Sequence, residues 1–308
     1  MTQPRCVVPG VTYKITRCIQ DRRFYLSPDD GDGREVNQIM EYCLAEAAEA
    51  SEVELHDAIV MGNHVHFEVT DVKGKLPVFT QTLFEHSSKC LKELRGIDEN
   101  VWSAEKGEYT VLATENATRE AMAYTLANPT SAGLVRYSKQ WPGVRSRPED
   151  LRGHGRMVAP PKQYFKTAEP KMLRFTVPPM LRELEETQQT IDALADRVHE
   201  LEQQAWRALE AEGRSFLGVN GVKKTNWRES PTRPRLSKDD PEHRCEKFKT
   251  LNGKKMEELK AKAREWRRIY CETLIAFQDG DRDVVWPAGT WHMRVHLHCP
   301  ALWPFAFE

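Results

Sequence analysis

His64-Val65-His66 and the pair Tyr124 and Asn128 are the places where residue types and spacing in this chain could do chemistry together. The histidines open the run His64 to Thr70, which the pattern predicts as a strand. Residues two apart on a strand project from the same face, so two imidazoles come within reach of one cation while Val65 anchors in the core. Tyr124 and Asn128 are four apart in a helical stretch and share a face, which places a phenol beside a carboxamide. Taken singly, each feature also has an ordinary reading. An HxH in a strand is commonly incidental, a helical tyrosine commonly packs, and asparagine before Pro129 commonly stops a helix. A further pair, His296 and His298 with Cys299, has zinc-ligand types, but no second cluster completes four ligands.

The elements that must position these residues can be read from periodicity. Strands are expected over Val11 to Thr16, Val53 to Val60, His64 to Thr70 and Tyr109 to Ala113, with Met61-Gly62-Asn63 turning the middle two into a hairpin. Helices are expected over Glu35 to Glu49, from Pro77 to Leu94 with Gly96 beyond, and from Ala117 to Ala127, ending at Asn128-Pro129. The order β-α-β-β-α-β-α implies an α/β (α+β) domain over residues 1–150, a mainly antiparallel sheet with helices packed on it. Residues 151–179, inside a Pro- and Gly-rich stretch, are expected as a linker. Residues 180–308 are expected as a mainly helical accessory region without assigned role. Within it Leu184, Ile191 and Val198 recur every seven residues, with Leu194 and Leu201 at the d position. That seam fits an intramolecular helical hairpin or a homodimer. Residues 228–241 read as irregular, Glu242 to Ala276 as a basic amphipathic helix, and the tail from Asp279 is aromatic.

Composition narrows the classes. The 308 residues are 40% hydrophobic and 30% charged, enough for a core under a very polar surface. No apolar run reaches membrane-spanning length, and the N-terminus lacks a secretory pattern. Seven scattered cysteines without a CxxC pair suit reduced thiols in a cytoplasm. Net charge is −1, yet its distribution is uneven. Met180 to Glu212 holds nine acidic residues against three arginines, and Val222 to Arg268 holds sixteen Lys or Arg against eight Asp or Glu. A neutral average therefore conceals a basic segment able to meet phosphates.

The two motifs together resemble a known family. Val-Met-Gly-Asn-His-Val-His-Phe, ending at Phe67, is similar to the Val-Met-x-Asn-His-Val-His-Leu segment of single-tyrosine HUH transposases. Tyr-Thr-Leu-Ala-Asn-Pro-Thr-Ser-Ala-Gly-Leu-Val, starting at Tyr124, is similar to that family's Tyr-Ile-x-x-Asn-Pro-Val-x-Ala-Gly-Leu-Val. Order and spacing match too, as do Leu76-Pro77 opening a helix, Val101-Trp102, and the first strand. The likeness covers about residues 5 to 150, and the REP-associated tyrosine transposases are the subgroup it resembles most. Gly62 departs from the Ser or Pro common in relatives, and Glu68 from an apolar residue, neither in the expected chemistry.

The resemblance implies a ferredoxin-like fold, His64, His66 and Asn128 as ligands of a divalent metal, Mg²⁺ or Mn²⁺, and Tyr124 as nucleophile. It implies single-stranded DNA with hairpin or palindromic elements as partner, cut and rejoined through a 5′-phosphotyrosine, in a bacterial cytoplasm and at the nucleoid when bound. Arg5, Lys14, Arg17, Arg22 and Arg23 are candidate backbone contacts. Two rival readings keep the fold: a DNA-binding regulator that does not cut, and a replication-initiator nickase. Against the latter, the chain has no GxxxxGK[ST] phosphate loop.

Overall fold

Alternation along the first strands decides which face is oily and which is polar. The computed structural model describes residues 6–104, 107–231 and 247–302. Its first elements are β1 (Val11–Cys18), α1 (Gly33–Ser51), β2 (Glu54–Val60), β3 (His64–Asp71), α2 (Leu76–Arg95), β4 (Glu108–Leu112) and α3 (Glu115–Ser131). These strands lie in the order β2-β3-β1-β4, all neighbours antiparallel. Val11, Tyr13 and Ile15 of β1 and Val65, Phe67 and Val69 of β3 join one core with Val36, Ile39, Leu44, Phe79 and Leu83 of α1 and α2. Thr12, Lys14, Thr16, His64, His66, Glu68 and Thr70 therefore populate the other face, because strand side chains alternate.

Helix α3 lies against β2, β3 and β4 and meets that polar face through Thr125. It starts at the Thr114 cap, whose side chain accepts from the Ala117 N–H, and it runs two residues beyond Pro129. The sequence reading ended it at Asn128-Pro129. A proline in the last turn forfeits only its own N–H bond, and Ala132 still donates to the Asn128 carbonyl. Asn128 thus stays helical, on the same face as Tyr124.

The remaining elements are β5 (Arg156–Val158), β6 (Lys171–Leu173), α4 (Pro179–Arg182), α5 (Thr187–Ala211), α6 (Gly218–Lys223), β7 (Phe248–Lys249), α7 (Gly253–Gln278) and α8 (Trp291–His296). Residues 151–179, expected as a linker, fold against the first unit instead. Leu151, Val158, Phe165, Leu173, Phe175 and Val177 are buried, and β5 and β6 pair with each other beside α1. Pro- and Gly-richness reflected turns, and the apolar residues between them carry the packing.

Further segments pair along the outer strands β2 and β4, which limits their open hydrogen-bonding rims. Along β2, Val60 donates to the Val144 carbonyl, Ser146 to Ala58 and Thr176 to Leu55. At the other edge β7 pairs parallel with β4. The aromatic tail packs too: Trp286 is fully buried beside Tyr270 and Phe277, and the Val7 N–H donates to the Gly289 carbonyl at 2.9 Å. Gly289 has φ 84°, and a side chain there would meet Cys6 Sγ at 2.5 Å.

The heptad seam is filled within the chain. Ile191 and Leu194 of α5 pack on Met122, Ala123 and Leu126 of α3 and on Leu181, while Leu184 precedes α5 and is 61% exposed. Arg197 clasps Glu120 with two hydrogen bonds of 2.7 and 3.0 Å, and Arg119 reaches Glu185 at 2.6 Å. The basic helix begins at Gly253 rather than Glu242; residues 232–246 fall outside the described part of the chain. No helix is long and apolar enough to cross a membrane among the described residues, and the described cysteines are all free thiols.

Candidate active site

Antiparallel register places the polar residues of three strands side by side. Thr16 of β1 faces His66, Lys14 faces Glu68, and Asp57 of β2 faces Glu68 from the other side. Directly opposed residues share a face, so Lys14, Glu68 and Asp57 form a cross-strand triple beneath α3. A register shift between Leu55 and Asp57 interrupts the ladder at His56, which bonds the Thr70 hydroxyl and the Thr176 carbonyl instead.

The histidines sit next to one another, ring centroids 4.9 Å apart. His66 is buried, and its Nδ1 shares a 2.8 Å hydrogen bond with the Thr16 hydroxyl. His64 Nδ1 donates to Asn63 Oδ1 at 2.7 Å. With both Nδ1 atoms engaged, both Nε2 atoms are left for a ligand, the way outer hydrogen bonds orient metal-binding imidazoles. Burial, then nearby cations, holds the His64 ring down to about 4 and pushes His66 well below the usual histidine range. Both are neutral at physiological pH, the form that binds metal.

Tyr124 is 46% exposed, unusual for a large aromatic on a packed helix. Its ring meets His66 edge to face at 6.2 Å between centroids. Lys14 Nζ stands 4.4 Å from its centroid. Asn128, one turn on, is buried, and its side chain has no hydrogen-bond partner among the described residues. No three His, Cys, Asp or Glu side chains converge on one point among those residues. The two neutral imidazoles are donors of the type transition-metal ions take, and the Asn128 carboxamide is an oxygen donor on the helix face of Tyr124.

A polar network missed by the sequence reading lies directly under the tyrosine. The Thr125 hydroxyl donates to Glu68 Oε1 at 2.8 Å and accepts from Lys14 Nζ at 3.0 Å. The Glu68 N–H donates to Asp57 Oδ1. Asp57 Oδ2 and Glu68 Oε2 are buried without another partner. Burial, followed by the neighbouring Glu68 carboxylate, pushes the Asp57 carboxyl well above the usual carboxylate range. Glu68, a carboxylate between the apolar Phe67 and Val69, is the visible sign of this network in the sequence.

The expected DNA contacts separate into distinct groups. Lys14 is committed inward, as above. Arg17 donates to the Ser103 carbonyl at 3.0 Å and lies over the Phe84 ring at 5.0 Å, so it too braces the fold. Arg23 stands 3.4 Å from Glu99 at the surface. Arg22 is exposed on a turn where it and Asp21 both hold positive φ. Arg5 lies outside the described residues. His296 and His298 are exposed at and just beyond the end of α8, and among the described residues no group of three His, Cys, Asp or Glu is placed to hold a metal there.

No family model matches this chain, and no curated protein does. Among solved structures it is similar to a REP-associated tyrosine transposase bound to a REP hairpin, at 15% identity and a TM-score of 0.37, over 49% of this chain and 86% of that one. It is also similar to a proposed transposase from Deinococcus radiodurans R1, at 19% identity and a TM-score of 0.28, over 42% of this chain and 97% of that one.

Proposed function

We propose that this protein is a transposase of the single-tyrosine HUH type that cuts and rejoins single-stranded DNA near hairpins, with Tyr124 as nucleophile. The observation that carries the reading is the contact of the exposed Tyr124 ring with His66, because it unites the two chemically competent motifs at one solvent-accessible point. The strand order β2-β3-β1-β4 in an all-antiparallel arrangement is that of ferredoxin-like domains and supports it.

His64, His66 and Asn128 would hold the divalent ion, which when bound supplies positive charge against the oxygens of the scissile phosphate. The residues of the chain do the rest. Helix α3, pinned between the sheet and α5, presents the Tyr124 hydroxyl outward. The phenol oxygen attacks phosphorus and gives up its proton to solvent. The P–O3′ bond breaks and the departing 3′-oxygen takes up a proton, leaving a 5′-phosphotyrosine and a free 3′-hydroxyl. The ester bond is conserved in the adduct, so a second 3′-hydroxyl reverses the step and rejoins strands without a nucleotide cofactor. An unpaired strand suits a tyrosine at the surface, since its phosphates can approach without the fixed geometry of a duplex.

The test is incubation of the full chain and Mn²⁺ with hairpin-bearing single strands from its genomic flanks. A protein–DNA adduct resistant to denaturant and mapped to Tyr124 supports the reading. Binding without adduct would assign the chain to the non-cutting regulators.

A further inference from the structure

The Lys14 cluster is the one set of buried charges beside the nucleophile that the reaction above leaves unused. The Lys14 side chain is 12% exposed and that of Glu68 is fully buried, with 3.4 Å between Nζ and Oε1. An ammonium carries three N–H groups. One is donated to Thr125, the Glu68 carboxylate lies at ion-pair distance, and the nitrogen stands over the Tyr124 ring. A buried ion pair is commonly no more stabilising than an apolar pair of the same volume, so packing alone does not account for charges at this point. Thr125 follows Tyr124 directly on α3. Its hydroxyl, bonded to both charged partners, fixes how the helix is turned about its axis.

We propose that Lys14 is a positioning residue for the nucleophile: held by Glu68 and Thr125, its ammonium keeps the Tyr124 ring, by cation–π contact, in the orientation that meets His66. The role rests on the single-tyrosine reading. It also replaces the DNA-backbone contact expected of Lys14, whose ammonium is engaged by Thr125, Glu68 and the Tyr124 ring. Glu68 and Thr125 act through Lys14 and touch neither substrate nor phenol.

The experiment uses the full chain with Lys14→Met, Lys14→Arg and the double variant Lys14→Met/Glu68→Leu, which removes both members of the buried ion pair together. Two quantities are read. One is the saturating single-turnover rate of adduct formation, with strand affinity measured alongside. The other is the fluorine spectrum of protein labelled with 3-fluorotyrosine, where the resonance missing from Tyr124→Phe belongs to Tyr124. In the double variant the saturating rate falls roughly tenfold, the scale of a desolvated cation–π contact, while strand affinity stays within about twofold. The Tyr124 resonance shifts and broadens. Lys14→Arg keeps a cation over the ring and recovers most of the rate. An unchanged rate and resonance in the double variant overturns the proposal. So does weakened strand binding with an unchanged saturating rate, which would return Lys14 to the DNA contacts. If the wild-type chain forms no adduct, the single-tyrosine reading fails, and the fluorine spectrum alone decides whether Lys14 holds the ring.

Discussion

The rings of His66 and Tyr124 meet edge to face with centroids 6.2 Å apart. The sheet aims His66 at this point and α3 brings Tyr124 to it, so each motif depends on the other's element being in place. The contact makes the roles of the two residues separable by substitution.

Tyr124→Phe removes only a hydroxyl from a ring that is 46% exposed. Stability should stay within about 0.5 kcal/mol of wild type, and binding of hairpin-bearing strands should persist. Adduct on denaturing gels should vanish. Adduct persisting in this variant would place the nucleophile elsewhere, and peptide mapping would locate it.

His66→Ala should abolish cleavage and erase the Mn²⁺-dependent rise in melting temperature, since only the native state binds the ion. The empty place leaves the Thr16 hydroxyl without its 2.8 Å partner, at a cost of about 1 kcal/mol. His298→Ala, at an exposed position, should cut normally and keep the metal-dependent shift. Calorimetry with and without Mn²⁺ measures both.

His56 gives a pH dependence independent of the metal ligands. Its Nδ1 donates to the Thr176 carbonyl at 2.8 Å and its Nε2 accepts from the Thr70 hydroxyl at 2.7 Å. Burial lowers its pKa from 6.5 to about 4. The unfolded chain therefore binds a proton that the native state refuses, so stability falls as pH drops from about 6.5 toward 4, by about 3 kcal/mol in all. His56→Gln should flatten this part of the profile. Denaturant melts of both proteins at pH 7 and pH 4.5 test it, and parallel losses would show that His56 does not carry the effect.

Leu194→Ala should destabilise by roughly 2–4 kcal/mol, because Leu194 is buried against Met122 and Leu126. The same packing means that deleting residues 180–308 would bare the outer face of the tyrosine helix. Urea melts of the point variant measure the coupling, and a loss under about 0.5 kcal/mol would mean that α5 is only loosely held.

DNA contact by α7 is better tested by charge than by truncation. Only Leu259 of this helix is buried, so Lys254→Gln, Lys255→Gln and Lys260→Gln together should leave the fold intact. The slope of log affinity against log salt should fall by about 0.7 for each phosphate contact removed on a single strand. An unchanged slope would assign these lysines to the solvated surface.

The histidine pair and the tyrosine–asparagine pair were legible in the chain because their geometry is local. A strand fixes the i, i+2 face and a helix the i, i+4 face, whatever else the protein does. The succession of elements β-α-β-β-α-β-α could be read for the same reason. The tertiary structure alone decided what local periodicity does not encode. Strand register set Lys14 and Asp57 on either side of Glu68, and helix docking brought Thr125 onto that pair. Residues 151–179 are strand, turn and apolar plug, because a bared sheet edge and the oily flank of α1 are both available to bury against. The seam of α5 could have met a second copy or its own chain, as the heptad pattern is the same for both. What settled it was the apolar outer face of α3, which lies close by in the same chain and is covered at no cost in association entropy.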